Sequence, residues 1–144
     1  MTSIDAISQD FAFLDDWEER YRYIIELGSE LEPYPEQFRD DAHKVPGCVS
    51  QVWLHVETGP GTDPVLDFRG DSDAHIVRGL VAIVLAIFSG RRASEILRAD
   101  AEATLRTLGL EQHLTPQRAN GLRSMVKRIR QTAEAAAAQD RAQA

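Results

Sequence analysis

The chain contains one cysteine, Cys48, which stands directly after Gly47 in the sequence. A cysteine thiolate is a strong nucleophile, so an accessible cysteine can carry out covalent chemistry. Gly47 carries no side chain and Pro46 restricts the backbone before it, which leaves space for another molecule to approach the sulfur. A lone cysteine is more often a small buried apolar residue, so its position alone leaves packing and reactivity both open.

The rest of the composition limits the chemistry further. One cysteine forms no internal disulfide and no multi-cysteine metal site. The 4 histidines show no metal-ligand spacing, and we expect no bound metal and no cofactor. The longest apolar run, residues 80–88, is much shorter than the roughly 20 residues of a membrane-spanning helix. These features predict a cytoplasmic protein in a reducing compartment, without membrane insertion.

Length and charge indicate an ordinary globular protein. With 144 residues, 43% of them hydrophobic and 27% charged, the chain is expected to form one domain over residues 1–144. The net charge is −7, with 17 acidic and 5 basic residues up to Asp73 and 6 acidic and 11 basic residues after it. The acidic excess disfavours general nucleic-acid binding. The basic second half either holds a local anion or partner site or simply packs against the acidic half.

Secondary-structure elements around Cys48 must hold it in place. The sequence before Cys48 predicts two helices and a loop. Apolar residues at helical spacing predict a helix over residues 4–14. A second helix is expected to start after Asp15 or Asp16 and to stop at the prolines of residues 32–35. Residues 33–47 are polar and are predicted to form an irregular loop that moves when a partner docks.

A hairpin is predicted immediately after this loop. Residues 48–57 alternate in polarity, which places Gln51 and Trp53 on the face opposite Val52. Residues 65–69 alternate again beyond a turn-rich segment, so the two runs are expected to pair antiparallel.

The second half of the chain is predicted to be helical. Residues 74–88 are apolar nearly all round and predict a buried central helix with Ser72 or Asp73 as its N-cap. Shorter helices are expected over residues 94–97 and 102–108, and a last one from Thr115 onward, with its alanine-rich end fraying from about residue 133. The predicted fold class is α+β, a small antiparallel sheet covered by helices.

Four segments, in order along the chain, resemble the SufE family. They are WEERYRYIIELG at residues 17–28, KVPGCVSQVWL at 44–54, GDSDAHIVRGL at 70–80 and QHLTPQRANGL at 112–122. The resemblance spans residues 11–129 and implies a single SufE-like domain with the SufE/IscU-like fold. It also strongly favours the reactive role of Cys48 over a packing role.

The resemblance further implies a function in iron–sulfur cluster assembly. Cys48 would accept persulfide sulfur from a SufS-like, pyridoxal-phosphate-dependent cysteine desulfurase, stimulate that enzyme and pass the sulfur to an iron–sulfur scaffold complex. The pyridoxal phosphate would belong to the desulfurase. The chain would act as a sulfur carrier and activator rather than as a stand-alone enzyme. A paralogous acceptor that serves a second desulfurase, with another sulfur destination, is the main alternative.

Two charged residues match family positions near the acceptor cysteine. Asp73 either positions the Cys48 loop and contacts the desulfurase, or only caps the central helix. Arg118 either supports transfer or is a solvated residue in the first turn of the last helix.

Neighbouring residues are weaker candidates. Gln51 and Gly47, beside the cysteine, are assigned to partner contact or support. A positive charge would favour the thiolate, and Arg118, Lys44 and His43 are the candidates for it.

Two functions outside the family are less well supported. A cysteine hydrolase with a Cys–His pair lacks an evident oxyanion loop in this sequence. A membrane or nucleic-acid binder using the basic last helix conflicts with the acidic first half.

Overall fold

The computed structural model describes residues 2–143, with side chains described up to residue 139. The helices within that range are α1 (Ile4–Phe13), α2 (Trp17–Ser29), α3 (His75–Phe88), α4 (Ala93–Arg98), α5 (Ala101–Thr107), α6 (Leu110–His113) and α7 (Pro116–Gln143), with a 3-10 turn at Glu36–Phe38. The strands are β1 (Val52–Thr58), β2 (Val65–Ser72) and β3 (Arg91–Arg92). The predicted α+β class is confirmed.

The sheet is built on the predicted hairpin. β1 and β2 pair antiparallel, from Val52 opposite Ser72 to Thr58 opposite Leu66. The two-residue strand β3 adds to the outer side of β2 and was not predicted, because two residues show no alternation.

The central helix is α3, which is buried along most of its length as expected. It packs against α2, β2 and α7. The approach to α2 is unusually close, since a Cβ on Gly79 would overlap the carbonyl oxygen of Ile24. A glycine is therefore required at position 79 for the two helices to meet.

The predicted N-cap of α3 is wrong. β2 continues through Ser72, in register with Val52, so the backbone is still extended where the cap was expected. The helix begins at His75, and the capping residue, Ala74, makes no side-chain hydrogen bond. Asp73 therefore does not cap the helix. Its carboxylate instead accepts a hydrogen bond from the backbone N–H of Gln51, which is close to Cys48 in the chain.

The segment at residues 33–47 is more ordered than the predicted irregular loop. Tyr34 and Val45 are buried, and Lys44 bridges to Trp53 on the free side of β1. Trp53 is buried as well, and the guanidinium of Arg39 lies 4.8 Å from its ring centroid. Both faces of β1 are therefore covered at this point.

The alanine-rich end, which was expected to fray from about residue 133, is helical in the structure. α7 runs to Gln143, and Ala133 and Ala136 are buried against the core. Alanine has the highest helix propensity and its small side chain permits close packing, which explains the extension. Ala144 lies outside the described residues.

Candidate functional site

Cys48 lies in a short loop, residues 46–50, that joins two antiparallel segments. Before the loop, Val45 N–H donates to the Val52 carbonyl at 2.8 Å. The His43 carbonyl accepts from Leu54 N–H at 2.9 Å. The residues before the loop therefore act as a further edge on β1, which fixes where the Cys48 loop (residues 46–50) begins.

The sulfur points inward, toward α7. Cys48 Sγ lies 3.7 Å from the carbonyl oxygen of Gly121, and the thiol is half-buried and free. Burial raises the pKa of the Cys48 thiol, because desolvation disfavours the thiolate. The expected activation by a nearby positive charge is thus not what the free chain shows. In the free chain, burial is the dominant influence on the pKa of this thiol.

A cleft of about 200 Å³ opens beside the sulfur. It is lined by the Cys48 loop and by residues of α3 and α7, namely Cys48, Val49, Ser50, Val77, Leu80, Thr115, Gln117, Arg118, Gly121 and Met125. The inner wall is apolar, formed by Val77, Leu80 and Met125. Polar groups from the start of α7 form the outer rim, so the sulfur has an apolar side and a polar side.

Asp73 holds the far end of the loop. Its Oδ1 accepts a hydrogen bond from Gln51 N–H at 3.0 Å, and its own N–H donates to the Gln51 carbonyl at 3.3 Å. These contacts extend the β1–β2 ladder by one pair beyond Val52 and Ser72. Gln51 thus contributes its backbone to the site, while the residue itself is exposed.

Arg118 lies on the rim of the cleft. Its backbone N–H donates to Thr115 Oγ1 at 3.3 Å, which starts α7 as predicted. The residue is exposed, and no described side chain pairs with its guanidinium. Its positive charge is therefore available beside the entrance to Cys48.

Gly47 is required for a reason that was not predicted. Its φ of +87° lies in the left-handed region that favours glycine. A Cβ at this position would also come within 2.7 Å of Ser124 Oγ on α7. Gly47 thus shapes the turn and lets the loop approach α7.

The other two candidate charges lie elsewhere. His43 pairs with Asp40, Nδ1 to Oδ1 at 2.7 Å, and Lys44 Nζ lies 3.7 Å from Asp41. Neither lines the cleft. Of the three candidates for a positive charge near the thiol, the structure brings only Arg118 to the cleft.

Several α7 residues that form the site were not predicted from the sequence. Gly121 and Met125 lie in the cleft, and Ser124 faces Gly47. Arg128 binds backbone carbonyls of the segment before the loop. One signal was present, since a glycine inside a helical pattern often marks a close approach of another chain segment.

The buried thiol predicts a measurable pH dependence. The rate of Cys48 alkylation by iodoacetamide should rise with pH around a midpoint above that of the urea-unfolded chain, because burial raises the thiol pKa. The linked contribution to stability is full below the unfolded pKa and is lost as pH rises through the folded pKa. An equal or lower midpoint in the folded chain would contradict the burial of the sulfur.

The described residues contain neither a candidate metal site nor a membrane-spanning helix. Among the described side chains, no three or more His, Cys, Asp or Glu residues are arranged to hold a metal ion. Between residues 2 and 143, no helix combines the length and the apolar character needed to cross a membrane.

Known proteins are similar to this chain in sequence and in fold. The family model "SufE: Fe-S metabolism associated domain" matches residues 5–133. A SufE-like protein of Rhizobium meliloti is 63% identical over 135 residues, which cover 93% of this chain and 96% of the relative. A SufE-like protein of Rhizobium etli is 58% identical over 139 residues, or 96% and 94% of the two chains. A hypothetical protein from Thermus thermophilus, whose solution structure is known, shares the fold, with a TM-score of 0.72 at 19% identity and coverage of 92% and 94%.

Proposed function

This chain belongs to the SufE family, and from that premise we propose that it accepts persulfide sulfur on Cys48 from a cysteine desulfurase. Family membership associates the chain with iron–sulfur metabolism. The observation that carries the proposal is the placement of Cys48, a free thiol in a short loop anchored at both ends and facing a cleft. Such a loop can carry one sulfur atom outward without unfolding the core.

The proposed reaction needs no bound cofactor on this chain. The Cys48 thiolate attacks the outer sulfur of a persulfide on the desulfurase. A new S–S bond forms at Cys48 while the S–S bond of the partner breaks, and its electron pair leaves with the partner as a thiolate. One sulfur atom is transferred without net oxidation or reduction. The outer sulfur of the Cys48 persulfide is then passed to iron–sulfur cluster assembly, and the Cys48 thiolate is regenerated.

In the free chain, the Cys48 thiol is partly shielded from solvent. Burial favours the protonated thiol over the thiolate, and the thiolate is the form that oxidants and electrophiles attack. Beside it, Val49 is 76% exposed, an apolar side chain at the loop tip that a docking protein would remove from water. We infer that docking draws Cys48 outward and supplies the conditions under which it ionises.

The geometry does not support a cysteine hydrolase. Such an enzyme needs a histidine within hydrogen-bond reach of the sulfur. Among the described residues that line the cleft there is no histidine. The paralogous acceptor, with a second desulfurase and another destination, uses the same Cys48 geometry, and the choice of partner distinguishes it.

The proposal is tested by adding the purified chain to a pyridoxal-phosphate-dependent cysteine desulfurase with cysteine as substrate. Alanine formation should rise with the concentration of the chain and then saturate, because the acceptor removes the persulfide that blocks the next turnover. Assays with each desulfurase of the source cell identify the partner. No increase with any of them would contradict the proposed function.

Asp73 is expected to support transfer by fixing the loop. Asp73→Ala removes the carboxylate that accepts Gln51 N–H. An exposed hydrogen bond of this kind contributes about 1 kcal/mol. Stimulation of the desulfurase should therefore fall about fivefold.

Asp73→Asn is the matched control, because the amide oxygen can still accept the Gln51 N–H. It should retain most of the stimulation, with both variants checked for thermal stability. Wild-type activity of Asp73→Ala would show that the contact does not matter for transfer.

A further inference from the structure

The segment before the Cys48 loop is held by Arg128 of α7. Arg128 Nη2 donates to the Ala42 carbonyl at 2.9 Å, and Nη1 donates to the Lys44 carbonyl at 3.3 Å. The carbonyl between them, that of His43, binds Leu54 N–H on β1. The segment is therefore fixed from two sides, by a strand and by a helix.

Arg128 is well suited to this contact. No described carboxylate pairs with its guanidinium, so its donors serve the two backbone carbonyls. A guanidinium presents several donors in a rigid fork and can bind two acceptors at once, whereas a lysine ammonium is a single flexible point charge. Without Arg128, the exposed Ala42 carbonyl would bind water and no longer connect the segment to α7.

The position of Arg128 on α7 links this contact to the sulfur. Gly121, Met125 and Arg128 are spaced four and three residues apart, which places them along one face of the helix. Gly121 receives Cys48 Sγ and Arg128 holds the chain just before the loop. The same helix face thus shelters the sulfur and fixes the near end of the loop.

The two anchors define the part of the chain that is free to move. Arg128 and the β1 hydrogen bonds hold residues 42–45, and Asp73 holds Gln51. Between them lie residues 46–50, with Cys48 at the centre. This span is shorter than the loop over residues 33–47 that the sequence suggested would move.

We propose that Arg128 is a positioning residue for sulfur transfer. It fixes the near end of the Cys48 loop, so that the loop opens as a short unit and the thiol stays sheltered until a partner docks. The purpose of this anchor rests on the proposed acceptor role of Cys48. The anchor itself is a property of the free chain and can be tested without a desulfurase.

The test measures alkylation of Cys48 by iodoacetamide in the free protein. Arg128→Ala should raise the rate about tenfold, the factor that corresponds to 1.4 kcal/mol, because the loop opens more often. Arg130→Ala is the matched control on the same helix. Arg130 also donates to a backbone carbonyl, that of Ala99, but it pairs with Glu102 on the side of α5. Its variant should alkylate at the wild-type rate.

Urea separates local opening from loss of overall stability. A rate set by opening of the loop changes little at low urea, whereas a rate set by global unfolding climbs steeply with urea. We expect a raised, urea-insensitive rate for Arg128→Ala and an intermediate one for Arg128→Lys. Arg128→Met, which keeps the aliphatic stem, replaces Arg128→Ala if that variant does not fold.

Two results would overturn the proposal. One is a wild-type alkylation rate in folded Arg128→Ala, and the other is a faster rate that follows global unfolding. A catalytically inactive desulfurase, added last, should accelerate alkylation of the wild type more than that of Arg128→Ala. If the wild type takes up no sulfur, the acceptor role fails while the alkylation comparison still decides whether Arg128 anchors the loop.

Discussion

Cys48→Ser is expected to abolish both sulfur uptake and stimulation of the desulfurase. The chain has no other thiol. A serine oxygen cannot take sulfur from a persulfide by thiol exchange, so no residual transfer is expected. The effect should therefore be a complete loss and not a reduction, measured as alanine formed by the desulfurase with and without the variant.

The substitution should leave the fold intact. The thiol is only half-buried, and among the described residues its polar contact is the long one to the Gly121 carbonyl, which a hydroxyl can replace. Thermal unfolding and competition with the wild-type chain for the desulfurase serve as controls. A folded variant that still competes for binding isolates the chemical step. Stimulation by this variant would mean that the chain activates its partner without accepting sulfur.

Arg118→Ala is expected to slow transfer by about ten- to a hundredfold. The guanidinium lies on the rim of the cleft and has no described partner, so its charge is available to the reacting sulfur or to an acidic group of the desulfurase. A hydrogen bond to a charged group contributes about 1.5–3 kcal/mol, which corresponds to that range of rates. The measurement is the rate of persulfide transfer at saturating concentration of the chain.

Stability should be unaffected in the same variant, because surface substitutions without partners change the free energy of unfolding by less than about 0.5 kcal/mol. Gln117→Ala is the matched control, since Gln117 lines the same rim without a charge. Arg118→Lys should fall between the wild type and the alanine variant, as it keeps the charge but not the fork. Equal losses in Gln117→Ala and Arg118→Ala would argue that the rim acts by shape alone.

Short-range patterns were sufficient to predict most of the fold. The alternation around Val52 predicts β1, and the apolar run that ends at Phe88 predicts the buried helix α3. Thr115 and Pro116 mark the start of α7. Each of these signals lies within a few residues of the element that it predicts, where local backbone preferences dominate.

The site depends on long-range contacts that no local pattern contains. In the sequence, Asp73 has the position expected of the N-cap of α3. Only the register of β2 in the folded chain shows that it lies opposite Gln51. Arg128 lies 84 residues from Lys44, among 11 basic residues in the second half, and only the tertiary fold selects it. The raised pKa of Cys48 likewise depends on burial against α7, whereas the sequence suggested a nearby positive charge.

The most direct test of the acceptor role is the mass of the intact chain after incubation with a cysteine desulfurase and cysteine. We expect the addition of one sulfur atom to the wild-type chain, removed by a thiol reductant and absent from Cys48→Ser. Peptide mapping should place the added sulfur on Cys48. A wild-type chain that gains no sulfur while it stimulates the desulfurase, or a Cys48→Ser chain that gains sulfur, would contradict the claim that Cys48 is the acceptor.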